Sequence, residues 1–227
     1  MVRASRVVLI IAVFTAALSL PLFAQDYDED SKLNTNLGLP VTVPLSTMSN
    51  FTNLGTGVTA GAGYNFNRYN AFVGEFMWNW LYPTDQSLGP LRATLAPNGL
   101  NGHSNLFALT ANYRLEGSGQ KFGAYLIGGA GLYYRNASLT TAITVPPGTA
   151  CTPAWSWWGF SCAGGTVIVG QTRSSFSSAI FGGNAGVGFT VKVGEPRYRL
   201  YFEARYHYAP DNNFTLRFIP ITTGIRF

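Results

Sequence analysis

Charged residues are scarce in this sequence. Asp, Glu, Lys and Arg make up 11% of its 227 residues, and its mean hydropathy is +0.12. So little charge, together with 47% hydrophobic residues, excludes an intrinsically disordered chain. It also leaves too few charged side chains to cover a water-soluble domain of this size. We therefore expect something other than water to solvate part of the protein.

A concentrated basic surface is also missing. Fifteen Lys and Arg residues against ten Asp and Glu residues give a formal net charge of +5, but the basic residues are scattered singly along the chain. Binding to nucleic acid requires a basic stripe or patch. The sequence therefore predicts no nucleic-acid partner.

Cysteine and histidine are rare, which limits metal chemistry. The two cysteines are Cys151 and Cys162, and the two histidines, His103 and His207, lie in other segments. This is too few ligands for a metal site, so we predict no metal and no cofactor. In an exported chain, Cys151 and Cys162 are expected to form a disulfide that closes one loop.

The N-terminus has the parts of a secretory signal peptide. Arg3 and Arg6 precede an apolar run over residues 7–18, and Ala24 is a small residue suited to cleavage. The apolar stretch is barely long enough to span a membrane, which favours removal over anchoring. We predict a cleaved signal peptide (1–24), a short acidic segment (25–32) and one domain (33–227).

After residue 24, no apolar pattern typical of an amphipathic helix continues for more than two turns. Apolar residues instead alternate with small or polar ones, most clearly over residues 179–193. Prolines at positions 40, 44 and 220 weaken the strands at the two ends, because proline cannot donate a backbone hydrogen bond. Eight alternating segments are predicted as strands: 36–45, 54–66, 72–82, 104–115, 122–135, 178–193, 198–208 and 219–227.

The connections between these strands alternate between short and long. Residues 67–69, 116–120 and 194–197 form short links, whereas 83–103 and 136–173 are long. An up-and-down meander places alternate links at opposite ends. We expect the fifth and sixth strands to continue through the longest link as a protruding hairpin.

The two faces of the strands differ in a way that predicts a membrane environment. One face carries Leu, Val, Phe, Trp and Tyr, with aromatic residues near the strand ends, and the other carries mainly Gly, Ser, Thr and Asn. Backbone groups in lipid must all be paired, so the strands have to close on themselves. We predict an all-β fold, an eight-stranded antiparallel up-and-down transmembrane β-barrel. The alternative is a soluble lipocalin-like carrier, in which the bulky face would point inward.

Three segments resemble a known family. They are Gly61-Ala62-Gly63-Tyr64-Asn65-Phe66, Glu203-Ala204-Arg205-Tyr206-His207-Tyr208 and the closing Gly224-Ile225-Arg226-Phe227. The chain resembles the eight-stranded outer-membrane β-barrels of Gram-negative bacteria, a family that includes the transmembrane domain of outer membrane protein A. The resemblance implies contact with outer-membrane lipid and lipopolysaccharide, and recognition of Phe227 by the barrel-assembly machinery. We also expect a monomer.

Several charged side chains fall on the predicted inner face. An eight-stranded barrel is just wide enough for side chains to fill, so unpaired charges there would be costly. We interpret these residues as a structural polar network, and the alternative is an electrostatic gate to a narrow channel for small solutes. The network consists of Glu75, Arg114, Arg199, Glu203, Arg205 and His207.

No catalytic residue is predicted. Some eight-stranded barrels are lipid A deacylases with a histidine and a serine two residues apart on the lipid-facing surface, but the residue two after His207 is Ala209. By its phase, His207 also points inward. The serine–histidine pair that such chemistry requires is therefore missing at this position.

Aromatic residues are concentrated between the two cysteines. Trp155, Trp157, Trp158 and Phe160 are expected in an external loop, where they either contact a partner or pack on each other. The sequence favours a non-enzymatic membrane protein with a role in envelope integrity or in surface attachment to an unidentified ligand.

Overall fold

In the computed structural model, ten strands and two helices are defined. The described residues are 32–95, 100–119, 121–145, 153–156, 159–162, 167–194, 198–211 and 214–227. The strands are β1 (Leu33–Pro44), β2 (Gly55–Asn67), β3 (Asn70–Leu81), β4 (Leu100–Ser118), β5 (Phe122–Val145), β6 (Pro153–Ser156), β7 (Gly159–Cys162), β8 (Val167–Lys192), β9 (Arg199–Ala209) and β10 (Leu216–Arg226). The helices are α1 (Thr47–Phe51) and α2 (Asp85–Leu95). Neither of these helices has the length and apolarity needed to cross a membrane.

Eight of the strands form a closed antiparallel barrel in the order β1-β10-β9-β8-β5-β4-β3-β2. The barrel closes between β1 and β10, where Thr35 and Phe227 exchange backbone hydrogen bonds of 3.0 and 2.9 Å. The remaining two strands, β6 and β7, pair only with each other. The predicted eight-stranded up-and-down barrel is therefore confirmed.

The barrel is polar inside and apolar outside. Leu109 and Phe181 are 61% and 65% exposed on the outer face, whereas Asn79 and Asn112 are fully buried in the interior. The alternation of residue types along each strand produces this arrangement, because successive side chains point to opposite faces. The lipocalin-like alternative is wrong, since it requires the bulky side chains inside.

Prolines are accommodated within β1 and β10. Pro40 and Pro220 both point inward, and both strands keep their mutual ladder around them. On its other side, β1 pairs with β2 before and after Pro40 in the same register, but not at Pro40 itself. The pairing of β10 with β9 is interrupted at Pro220 in the same way. The missing N–H groups are thus tolerated in adjacent strands of a closed barrel, with local gaps in pairing.

The two ends of the barrel differ strongly. Both ends of the domain and the links β2–β3, β4–β5 and β8–β9 lie at one end, the short-turn end. Helices α1 and α2 and the hairpin β6–β7 belong to the links at the other, the long-loop end. Helix α2 was not predicted, because it has no continuous apolar stripe; Leu88 packs with Leu100 and Leu139 at this end.

The longest link contains the predicted protruding hairpin. Strands β5 and β8 pair without a break in strand structure as far as Val145 and Val167, with one register shift at residues 139–140. Their barrel neighbours stop earlier: β4 reaches Thr141 on β5, and β9 reaches Gly183 on β8. We call residues 135–145 and 167–182 the ribbon.

Candidate functional site

The centre of the barrel is held by Arg205 on β9. Its guanidinium lies 3.0 Å from the Glu75 carboxylate and also donates hydrogen bonds to Glu203. Tyr125 donates a hydrogen bond of 2.9 Å to Glu203, and Asn36 donates one of 3.3 Å to Glu75. All these side chains are buried, so each buried carboxylate has a cation and a further donor.

A second ionic cluster lies nearer the short-turn end. Glu116 on β4 accepts a 2.8 Å hydrogen bond from Arg226 and lies 3.2 Å from Arg114. Arg199 lies farther away, with 3.7 Å between its Nη1 and the Glu116 Oε1. Three arginines therefore surround one carboxylate within the lumen.

Toward the long-loop end, the interior becomes apolar. His207 stacks on Phe218 with ring centroids 4.8 Å apart, and its Nδ1 is 2.8 Å from the Tyr133 hydroxyl. Around these rings pack Met48 from α1 and strand residues Met77, Leu81, Leu106, Ala108, Ala209 and Leu216. Helix α1 thus contributes to an apolar layer inside the barrel.

Two inward tyrosines lie across glycines on neighbouring strands. Tyr125 is the register partner of Gly188, and Tyr201 is the partner of Gly224. A Cβ added at either glycine would collide with the tyrosine ring. The glycines therefore provide space for rings that contact Arg226 at 4.8 and 5.7 Å from its Cζ atom.

The six residues predicted for the lumen network all lie inside the barrel, but they are in three groups. Glu75, Glu203 and Arg205 meet at the centre, Arg114 and Arg199 lie around Glu116, and His207 lies in the apolar layer.

Sequence reasoning missed Glu116, because that residue was assigned to a turn. Its spacing of two from Arg114 was the available signal, since it continues the inward phase of β4.

The lumen is packed with side chains at several levels. Ionic groups fill the centre and the short-turn half, and the apolar layer fills the long-loop half. A lumen filled by side chains in this way is expected for a barrel of eight strands.

No arrangement typical of catalysis or metal binding is present among the described residues. No group of three His, Cys, Asp or Glu residues there is placed to hold a metal ion. His103 and Ser138 form a hydrogen-bonded pair at 2.9 Å on exposed cross-strand positions. Within the described residues, no carboxylate is hydrogen-bonded to His103 to orient it as a general base.

The external aromatic patch falls only partly on described residues. The hairpin β6–β7 places Trp155 opposite Phe160 and Cys162 opposite Pro153 in backbone register. Cys151, Trp157 and Trp158 lie outside the described residues, so the disulfide stays a prediction.

Phe227 lies at the short-turn end, where its ring contacts that of Tyr198 at 5.9 Å between centroids. Its backbone hydrogen bonds with Thr35 place it at the seam where β1 and β10 close the barrel.

Comparison with known proteins agrees with this architecture. Residues 10–227 match a family described as the outer membrane protein beta-barrel domain. Comparison with curated proteins gives no match. Neisserial surface protein A is structurally similar, with a TM-score of 0.52 and 16% identity over 86% of this chain and 96% of that chain.

Two other solved structures are more distant. Ail, the attachment invasion locus protein of Yersinia pestis, has a TM-score of 0.43 and 14% identity, covering 86% of this chain and 96% of that chain. The N-terminal β-barrel domain of Pseudomonas aeruginosa OprF has a TM-score of 0.41 and 13% identity, covering 86% of this chain and 98% of that chain.

The family match extends over nearly the whole chain, and the similarity to the Neisserial protein shows the same fold. Proteins of this family are embedded in the bacterial outer membrane and contact its lipids. The chain therefore belongs to the outer membrane protein beta-barrel family and is located in the bacterial outer membrane.

Proposed function

We propose that this protein is a non-enzymatic outer-membrane barrel that attaches the cell surface to a partner through its long-loop end. Outer-membrane barrels have short periplasmic turns and longer external loops, so the long-loop end faces outward. In this proposal, export removes residues 1–24, residues 25–32 remain in the periplasm, and residues 33–227 form the barrel domain. The barrel acts as a monomer, and the assembly machinery recognises Phe227.

The ribbon is the observation that carries the proposal. From Val167 to Ser177, β8 lies beyond its pairing with β9, so this side of the strand is a free edge among the described residues. A free edge presents unpaired backbone N–H and C=O groups that a partner strand can bind. Soluble proteins commonly block such an edge. A free edge on an external extension therefore favours a role in binding a partner.

Exposed aromatic side chains lie at the base of the ribbon. Phe176 is 51% exposed and lies beneath the Arg135 guanidinium, whose Cζ is 5.1 Å from the ring centroid. Arg135 also lies 4.5 Å from the ring centroid of Phe214. Arginine and aromatic side chains of this kind are enriched in the centres of protein interfaces.

The ribbon can be removed almost completely while the closed barrel is kept. Asn136 and Ser177 are direct register partners close to the level at which β3 stops pairing with β4, so an Asn-Gly turn can replace residues 137–176. We expect bacteria that express this variant to lose adhesion to immobilised matrix proteins and glycosaminoglycans, while the barrel keeps its heat-modifiable gel mobility. Equal adhesion by the intact and shortened proteins would overturn the attachment role.

Two further measurements separate the remaining roles. If adhesion is unchanged but the shortened protein makes cells sensitive to detergent, the protein serves envelope integrity.

Replacing Trp157 and Trp158 by serine tests the aromatic patch. Lower adhesion with unchanged thermal stability indicates contact with the partner. Unchanged adhesion with lower thermal stability indicates packing within the loop.

The absence of catalysis is part of the proposal and has its own test. Among the described residues, His103 and Ser138 most resemble the serine–histidine pair of a hydrolase. The purified wild-type protein and the variant Ser138→Ala are therefore compared for release of fatty acid from outer-membrane lipid. We expect no release from either protein. Release that depends on Ser138 would identify an enzyme instead.

A further inference from the structure

The outer wall of the barrel carries a cation on β10. Among the described Lys, Arg, Asp and Glu residues of the barrel strands below the ribbon, all but Arg217 lie on the inward face. Arg217 alternates on β10 with the buried residues Leu216 and Phe218, so its side chain lies on the outer face. This guanidinium is therefore placed on the side of the strands that faces lipid.

Arg217 lies at one border of the lipid-facing band. Ten residues lead from Arg217 to Phe227 at the short-turn end, which is about 33 Å of strand at 3.3 Å per residue. With a strand tilt of about 40°, this length spans about 25 Å along the barrel axis, the height of the apolar band of an outer-membrane barrel. The outer-face residues in between are Ile219, Ile221, Thr223 and Ile225. Because the long-loop end faces outward in the orientation given above, Arg217 lies at the level of the outer-leaflet headgroups.

An aromatic ring accompanies this guanidinium. Tyr208 on β9 is the register partner of Arg217, and the Arg217 Cζ lies 5.2 Å from the centroid of its ring. Among the described residues, none accepts a hydrogen bond from the guanidinium, and its Nε is buried without a partner. Asp211, on the adjoining β9–β10 link, accepts a hydrogen bond of 3.3 Å from Ser178 on β8. The ring thus positions the guanidinium and leaves its N–H donors available to an anion from outside the chain.

A phosphate group has the chemistry that these donors require. A guanidinium presents its N–H groups as a planar fork that matches two phosphate oxygens. Tyr208 is 38% exposed, and within the described structure its hydroxyl makes no hydrogen bond, so it can donate to a third oxygen. On the same face, Tyr206 and Ile221 are 42% and 52% exposed and can contact acyl chains. The surroundings therefore fit a phosphate that is attached to a lipid.

We propose that Arg217 and Tyr208 bind a phosphate group of a phosphorylated glycolipid in the outer leaflet, and so hold one such lipid at a fixed place between β9 and β10. Contact of the barrel wall with acyl chains is common to transmembrane barrels, whereas this site selects a headgroup. The inference rests on the outward orientation of the long-loop end and not on the attachment role, which is tested on cells.

The first test measures lipid binding by the purified mature protein in micelles of an uncharged maltoside detergent. The probes are diphosphoryl lipid A and the same lipid without its phosphates, titrated by native mass spectrometry. We expect Arg217→Gln to lower the affinity for diphosphoryl lipid A about tenfold, because hydrogen bonds to a charged group are lost. Its affinity for the dephosphorylated lipid should equal that of the wild type.

The variant Arg92→Gln is the matched control. Arg92 is an exposed cation at the same end of the barrel, but it lies on α2 and not on the barrel wall. We expect this variant to bind diphosphoryl lipid A as the wild type does. Equal affinity of wild type and Arg217→Gln, or an equal loss in both variants, would overturn the proposal.

A second measurement uses the wild-type protein and so does not depend on the folding of a variant. Phenylglyoxal modifies guanidinium groups, and peptide mass spectrometry reports the extent of modification at Arg217 and Arg92. Diphosphoryl lipid A should slow the modification of Arg217 but not that of Arg92, and the dephosphorylated lipid should slow neither. Equal protection of Arg217 by inorganic phosphate at the same phosphate concentration would overturn the assignment to a lipid. No protection by diphosphoryl lipid A would overturn the site itself.

Discussion

At the scale of single residues, the interior depends on one arginine that compensates two carboxylates. Replacing Arg205 by glutamine leaves Glu75 and Glu203 buried together without their shared cation. Removing one partner of a buried ion pair typically costs about 3–5 kcal/mol. We expect Arg205→Gln to reduce the free energy of unfolding by that amount, measured by urea unfolding in lipid vesicles.

The exposed ion pair between Arg92 and Asp85 provides the control. Its N–O distance is 3.2 Å, but the Asp85 side chain is 92% exposed, so Arg92→Gln should have little effect. Adding Glu75→Gln and Glu203→Gln to Arg205→Gln should recover much of the lost stability. A loss no larger than that of Arg92→Gln would mean that the central ion pairs do not stabilise the barrel.

At the scale of strands, tyrosine and glycine form complementary pairs across the ladder. In Gly188→Ala, the new methyl group would collide with the ring of Tyr125, which donates to Glu203. We expect this substitution to destabilise the barrel by about 1–3 kcal/mol and to shift the near-ultraviolet circular dichroism of the tyrosines.

Gly74→Ala is the matched control for Gly188→Ala, because Gly74 is also a strand glycine. It lies on the exposed face of β3, and the nearest atom to an added Cβ is the Ala62 carbonyl oxygen at 3.8 Å. This variant should retain wild-type stability. Equal losses at Gly74 and Gly188 would attribute the effect to the strand backbone rather than to the tyrosine.

The elements also show where sequence patterns are informative. The period of two in residues 179–193 is sufficient to predict a strand and its inward face, because a strand is the regular structure that places every second residue on the same side. Helix α2 has no such pattern, and it packs through Leu88 on residues of β4 and β5 that are close only after folding. Glu116 was missed because strand ends are set by pairing with a neighbour, which a local pattern does not contain.

At the scale of the whole molecule, closure occurs between the first and last strands. Phe227 contributes to it through backbone hydrogen bonds with Thr35, which do not require its ring. If the ring is an assembly signal, Phe227→Ala should strongly reduce the folded barrel recovered from cells while leaving refolding from urea into micelles unchanged. The measured quantity in both cases is the fraction with heat-modifiable gel mobility.

Tyr198→Ala removes the aromatic partner of Phe227 and leaves the terminal residue intact. It should therefore not reduce assembly in cells. If both substitutions impair refolding in micelles to the same extent, the ring of Phe227 stabilises the seam of the barrel and is not an assembly signal.

The amino-acid sequence alone determined the membrane-facing and inward-facing sides of each barrel strand, because the side-chain period of a strand is local and the two faces differ in residue type. It also determined the number of strands in the barrel and the asymmetry of the two ends. Only the tertiary structure decided which inward charges meet. Glu116 and Arg226 are 110 positions apart, and they are brought together by barrel closure and strand stagger, which depend on pairing over the entire sheet.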